Sequence, residues 1–130
     1  KEKGAKRVIP LNVSGPFHSQ MLIGAGERLK KDLEKVQMNE FSVPYVANLT
    51  ADYVTSPENV RELLEKQISS PVKWQQSVEK MLAEGVDTFV EIGPGKTLSS
   101  FVKKINKEVL VLNIDKYGDL AKCLEVFANA

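Results

Sequence analysis

The sequence predicts an α/β fold with a mainly parallel sheet. Stretches with the apolar composition of strands alternate along the 130 residues with segments whose apolar side chains recur at helical spacing. The strands are predicted at residues 7–13, 43–48, 88–92 and 109–114, and helices are predicted between and after them. The last strand is continuously apolar, which is typical of a strand buried on both faces.

Local signals indicate the elements of the first half. Pro10 interrupts the first strand, and because proline cannot donate to a ladder this strand is expected at a sheet edge. A turn at Gly15-Pro16 follows, and His18 stands just before a predicted helix. That helix is indicated by one apolar stripe, formed by Leu22, Ala25, Leu29, Leu33 and Val36.

The second half carries clearer start and stop signals. Ser56 and Pro57 have the residue types of a helix N-cap and a first helical position, and Pro71 should end that helix. A further helix contains Trp74, which its stripe places in the core, and stops at Gly85. Two more helices are predicted around residues 98–105 and 120–127.

Composition excludes several classes of function. Eighteen basic and seventeen acidic residues leave a net charge of +1, which is too balanced to indicate a nucleic-acid or membrane-surface protein. The single cysteine, Cys123, excludes an internal disulfide, and together with the single histidine, His18, it cannot supply a zinc site. No apolar run approaches the ~20 residues of a membrane helix.

The stretch Gly93-Pro94-Gly95-Lys96-Thr97, between a strand and a helix, resembles a phosphate-binding loop but fails its spacing. A P-loop needs a further glycine where this chain has Val90, and the dinucleotide fingerprint needs one where it has Leu98. Nucleotide binding is therefore disfavoured. The glycines instead predict a tight turn, which also allows the backbone to come close to an active site at the carboxyl edge of the sheet.

His18 is the candidate general base, although a lone histidine is more often structural. It lies before a predicted helix, whose N-terminal dipole disfavours a protonated imidazole. No partner nucleophile is evident: Ser19 is adjacent but diverges, no Gly-x-Ser-x-Gly elbow occurs, and Cys123 has the spacing of a packed thiol. The chain therefore carries half of a catalytic pair.

Three segments together resemble the malonyl-CoA:acyl carrier protein transacylases. They are residues 13–19 (VSGPFHS), residues 67–74 (QISSPVKW) followed by Ser77-Val78, and residues 89–98 (FVEIGPGKTL). Their order and spacing match the family over about residues 8–105. The resemblance implies an α/β-hydrolase-like large subdomain with an inserted ferredoxin-like small subdomain. Residues 1–13 would be the end of the small subdomain, with its last strand, and residues 14–130 the C-terminal part of the large one.

The resemblance also implies an acyltransferase of fatty-acid biosynthesis, cytoplasmic, without metal or bound cofactor. Malonyl-CoA would acylate a serine, and the phosphopantetheine thiol of acyl carrier protein would then take the malonyl group. The serine and the arginine for the malonyl carboxylate would precede this segment, so the expected partners include the missing N-terminal part and the segment alone is expected to be inactive. The alternatives are an acyltransferase domain of a modular polyketide synthase, and a non-catalytic binding module on the same fold.

Residue by residue, the resemblance implies these roles. His18 would be the base, and the backbone carbonyl of Gln67 would orient it, although the Gln67 side chain could simply cap its helix. Phe17, just before the base, would select malonyl over methylmalonyl groups. Lys103 and Lys104, expected with Lys107 on the solvent side of their helix, would contact the carrier protein, or they are only a solvated face.

Overall fold

The computed structural model describes residues 3–4, 6–10 and 12–128. The helices along the described chain are α1 (Ile23–Leu33), α2 (Val60–Gln67), α3 (Trp74–Ala83), α4 (Thr97–Ile105) and α5 (Tyr117–Ala128). The strands are β1 (Tyr45–Ala47), β2 (Asp52–Val54), β3 (Thr88–Ile92) and β4 (Leu110–Ile114). Short 3₁₀ turns at Gln20–Leu22 and Pro57–Asn59 precede α1 and α2.

The chain is organised as two units. The first comprises Lys1–Tyr45 with Val54–Val72, and it contains the packed helices α1 and α2. The second comprises Val46–Tyr53 with Lys73–Ala130, and it contains the remaining helices and the β3–β4 pair. The predicted α/β class is therefore confirmed.

The predicted parallel pairing is present between β3 and β4, with Thr88 opposite Leu110 and Ile92 opposite Ile114. The connection from β3 to β4 runs through α4, which is the crossover that parallel strands require. Strands β1 and β2 form a separate two-stranded sheet. Only four residues join them, so their pairing is antiparallel.

The core of the second unit lies on one face of the β3–β4 pair. Val78, Val102 and Val109 are buried at its centre. Around them pack the side chains of Trp74, Met81, Leu82, Phe89, Ile105 and Val111. The interpretation of Trp74 as a core residue is thus confirmed.

The opposite face of the same strands is only partly covered in this chain. Val90 and Ile92 of β3 are 36% and 79% exposed and Leu110 of β4 is 41% exposed, while Leu112 and Ile114 are half-buried. Helix α5 also leaves its apolar stripe partly exposed, at Leu120, Leu124 and Phe127. Apolar surface of this extent is typical of a face that another segment covers.

The strand predicted at residues 7–13 is wrong for the residues that are described. Residues 6–10 and 12–13 form no strand, and Leu11 lies outside the described residues. The physical reason is that a strand exists only beside a hydrogen-bonded neighbour, and no described strand pairs with this segment. The strand at residues 43–48 is shorter than predicted, and its partner β2 was not predicted.

The start signal of the second helix agrees with the structure. Ser56 is extended, and its Oγ accepts a hydrogen bond from the Glu58 backbone N–H at 3.2 Å, with Pro57 in the first helical position. Helix α2 then ends at Gln67, whose carbonyl group contacts His18.

Candidate active site

His18 lies in a tight turn with an unusual backbone conformation. Its φ is +57°, in the left-handed region where only a few per cent of non-glycine residues are found and where histidine is enriched over most others. The turn is closed by Ser19, whose Oγ donates to the Pro16 carbonyl at 2.7 Å. The Ser19 hydroxyl is therefore committed to the turn.

The imidazole of His18 is held by a main-chain oxygen. Its Nδ1 lies 3.1 Å from the carbonyl oxygen of Gln67, the last residue of α2. Because a carbonyl can only accept, the hydrogen bond requires the proton on Nδ1. Nε2 of the neutral ring is then unprotonated and can accept a proton.

The ends of two helical segments lie near His18. A 3₁₀ turn begins at Gln20, with Ser19 as its N-cap, and runs directly into α1, so His18 stands just before a helical segment as predicted. The ring itself meets the C-terminal end of α2, where the helix dipole is negative.

Among the described residues of the first unit, no hydrogen bond joins the His18 ring to a hydroxyl or thiol group. Ser19 is occupied as described, and Cys123 belongs to the other unit, where it is buried at 6% exposure. Phe17 is 64% exposed, with its ring lying over Gly15. The structure thus brings His18 and Gln67 together and leaves Phe17 beside them at the surface.

The glycine-rich turn is held by two residues that sequence reasoning missed. The Glu91 carboxylate accepts the backbone N–H groups of Leu98 and Ser99 and the Ser99 hydroxyl, and these bonds lower the pKa of Glu91. The Asn113 amide donates to the Gly95 carbonyl at 2.8 Å. Positive φ values at Gly93 and Gly95 complete the turn.

This arrangement adds a structural argument against a phosphate-binding loop. The N-terminus of α4, which would face a phosphate, is already occupied by a carboxylate of the same chain. The available signal was an acidic residue in the strand, six positions before the first residue of α4, but no short sequence rule selects it.

The two lysines predicted to contact a carrier protein differ in environment. Lys103 donates from Nζ to the Val109 carbonyl at 2.6 Å and to the Lys107 carbonyl at 3.3 Å, so its ammonium group does not simply face solvent as expected. These bonds tie the end of α4 to the start of β4. Lys104 is exposed, with its ammonium 5.5 Å from the ring centroid of Phe101.

Metal and membrane features can be stated for the described ranges. In them, no three side chains of histidine, cysteine, aspartate or glutamate lie close enough together to hold a metal ion. None of the described helices has the length and apolar composition needed to cross a bilayer.

Comparison with known proteins decides which family the site resembles. The chain is 46% identical over 114 residues to the malonyl CoA-acyl carrier protein transacylase of Bacillus subtilis, and the match covers 88% of this chain. The crystal structure of MCAT from Streptococcus pneumoniae superimposes with a TM-score of 0.89 at 40% identity, over 95% of this chain. This chain is a homologue of part of the malonyl CoA-acyl carrier protein transacylases.

The match covers only part of the length of each relative. The chain spans 36% of the B. subtilis protein and 40% of the S. pneumoniae structure. No protein family profile matches the chain. A third relative, a malonyl-transacylase solved in complex with a type II PKS acyl-carrier protein, superimposes with a TM-score of 0.88 at 32% identity and covers 95% of this chain, which spans 40% of it.

Proposed function

We propose that this chain is the C-terminal portion of a malonyl-CoA:acyl carrier protein transacylase of the cytoplasm, acting in fatty-acid biosynthesis. Residues 14–130 would belong to its large α/β-hydrolase-like subdomain, and residues 1–13 would end its ferredoxin-like small subdomain. The observation that supports this proposal most directly is the bond from His18 Nδ1 to the Gln67 carbonyl, which leaves Nε2 ready to accept a proton. The transacylase relatives support the substrate class.

The geometry supports the following chemistry for His18 in the proposed reaction. Nε2 takes the proton of a serine hydroxyl supplied by the rest of the enzyme as the serine oxygen attacks the thioester carbon of malonyl-CoA. The C–S bond then breaks, and the imidazolium returns the proton to the departing CoA sulfur. In the second half Nε2 deprotonates the phosphopantetheine thiol, whose sulfur attacks the malonyl ester, and the proton returns to the serine oxygen.

The test is malonyl transfer by the complete enzyme with His18 replaced by asparagine. We expect the rate to fall by roughly 10²–10⁴-fold, the usual range for loss of a general base. A folded variant with full activity would return His18 to a structural role. A complete wild-type protein that transfers no malonyl group would instead favour the non-catalytic binding module. The isolated 130-residue chain, which has no serine elbow, should form no malonyl ester.

A polyketide setting for the same chemistry is favoured by the relative that was solved with a type II PKS acyl-carrier protein. The two settings differ in the carrier, and the modular synthase alternative differs further in being tethered. Transfer rates to a fatty-acid carrier and to a polyketide carrier, measured side by side, distinguish them.

Phe17 is proposed to influence the choice of acyl group. Its exposed ring precedes the base, where it could exclude an α-methyl group, and one methyl group discriminates by roughly 1–3 kcal/mol in a pocket. Phe17→Ser should therefore narrow the preference for malonyl-CoA over methylmalonyl-CoA, measured as the ratio of kcat/KM values. An unchanged ratio removes Phe17 from the specificity argument.

A further inference from the structure

Helices α1 and α2 are in contact along their length, and the hydrogen bond between His18 and Gln67 lies at one end of the pair. At the other end, Arg61 of α2 reaches the C-terminus of α1. Between them, Gly26 of α1 lies against the backbone of Glu65 in α2. The order of these contacts shows that the two helices run antiparallel.

Arg61 makes the contact that fixes how far along its axis α2 lies. Its Nε donates to the Leu33 carbonyl at 2.9 Å and its Nη2 to the Val36 carbonyl at 2.6 Å. The Leu33 carbonyl, at the end of α1, also accepts the Val36 backbone N–H at 3.1 Å, and Val36 lies three residues beyond the helix. A carbonyl oxygen has two lone pairs, so Leu33 can accept from Arg61 as well. Because the guanidinium is planar and holds two acceptors at once, it restrains both distance and direction.

The middle of the helix pair leaves little room for lateral adjustment. A Cβ placed on Gly26 would lie 2.8 Å from the Glu65 carbonyl oxygen, closer than real Cβ atoms approach. Glu65 also pairs with Lys30 at 3.2 Å. With side-to-side spacing set by this approach, the remaining freedom of α2 is a slide along its axis, which the Arg61 contacts oppose.

We infer that Arg61 is a positioning residue for the His18 base. Six residues separate Arg61 from Gln67, about 9 Å of helix at 1.5 Å per residue, so a shift at Arg61 moves the Gln67 carbonyl with it. A slide of about 1 Å would take the 3.1 Å contact beyond useful hydrogen-bond length and release the ring tautomer. This inference rests on the function proposed for His18.

The experiment compares Arg61→Gln and Arg61→Lys in the complete enzyme, with Arg28→Gln, an exposed arginine of α1, as the matched control. We expect Arg61→Gln to lower kcat for malonyl transfer by roughly 10–100-fold, the range for a misplaced catalytic group, with KM for malonyl-CoA unchanged within about twofold. Arg61→Lys should lie between, because an ammonium cannot reproduce the two-pronged contact. Arg28→Gln should leave both parameters unchanged.

A spectroscopic readout separates positioning from general stability. Nitrogen-15 NMR of the His18 ring, assigned by its loss in His18→Asn, reports which nitrogen carries the proton. The wild type should show the Nδ1–H tautomer, and Arg61→Gln should show a mixture. A folded Arg61→Gln enzyme with wild-type kcat, or with reduced kcat and an unchanged tautomer, overturns the inference.

Three other outcomes each have a definite meaning. If Arg61→Gln does not fold, Arg61→Lys decides by the same kcat and tautomer criteria. If His18→Asn itself keeps full activity, it is the proposed function that fails. If His18→Asn is inactive while both folded Arg61 variants match the wild type, only the positioning role of Arg61 fails.

Discussion

Replacing His18 should separate activity from stability, because the residue occupies a backbone conformation that a base does not need. Two substitutions test this in the complete enzyme. His18→Gly removes the ring and suits a φ of +57°, while His18→Asn removes the base but keeps a side chain that tolerates the left-handed region.

The magnitudes follow from two opposing terms. A non-glycine residue in the left-handed region costs roughly 1–2 kcal/mol of stability, and His18→Gly removes this cost. Part of the gain is lost again, because glycine increases the entropy of the unfolded chain. Against this, the bond to the Gln67 carbonyl contributes roughly 0.5–1.5 kcal/mol and is lost. We therefore expect the free energy of unfolding to change by less than about 1 kcal/mol. Activity should fall by roughly 10²–10⁴-fold, equivalent to about 3–5 kcal/mol in the activation free energy.

The assay pairs urea unfolding with the rate of malonyl transfer from malonyl-CoA to carrier protein. Gln67→Ala is the control, because the His18 ring bonds to the main-chain oxygen and the side chain at position 67 is not needed for that bond. It should keep activity within about threefold of wild type, as expected when no reacting group is displaced. If Gln67→Ala is as inactive as His18→Asn, or if His18→Gly unfolds the protein, the reasoning is refuted.

Three further predictions concern the supporting contacts. Gly24→Ala should raise the free energy of urea unfolding by roughly 0.5–1 kcal/mol, because alanine has the higher helix propensity. Gly26→Ala should give no such gain, because its Cβ would meet the Glu65 carbonyl oxygen. Equal gains in the two variants would disprove the close contact between α1 and α2. Glu91→Gln should lower the free energy of unfolding near neutral pH. Because the folded pKa of Glu91 lies below the ordinary 4.5, the difference in unfolding free energy from wild type should shrink as the pH falls through 4.5 and below. A difference that does not change with pH contradicts this. Lys104→Glu should raise KM for carrier protein severalfold at low salt without loss of stability. Lys103→Glu should also lower the unfolding midpoint, because the Lys103 ammonium donates hydrogen bonds to two backbone carbonyls. An effect on KM that persists at high salt excludes a charge contact.

Local signals predicted the elements whose causes are local. The capping serine and proline located the start of the helical segment that leads into α2, and Gly85, with a φ of +90°, does follow α3 closely. The strand at residues 7–13 failed because β structure depends on a neighbour that the sequence pattern does not reveal. Strand β2 was missed because it is three residues long and begins with Asp52.

The candidate site was predictable in part for similar reasons. A motif around His18 and a match at Gln67 indicated which residues meet, and the structure places them 3.1 Å apart, while their catalytic roles remain predictions. The contacts of Arg61 and Lys103 could not be predicted from sequence, because their partners are main-chain oxygens and so carry no side-chain signature. Arg61 reaches back 28 residues to Leu33, far beyond any local pattern.

The main-chain oxygen that holds the base also has a genetic consequence. No codon change at position 67 deletes a carbonyl, so in a saturation mutagenesis of the gene this position should tolerate many substitutions. Selection would instead act on residues that place the helix, and the intolerant positions should cluster at Gly26 and Arg61, away from the reacting atoms. A proline at position 67 is an expected exception, since it would disrupt the last turn of α2. Selection on this part of the active site would then act mainly on the residues that pack α1 against α2.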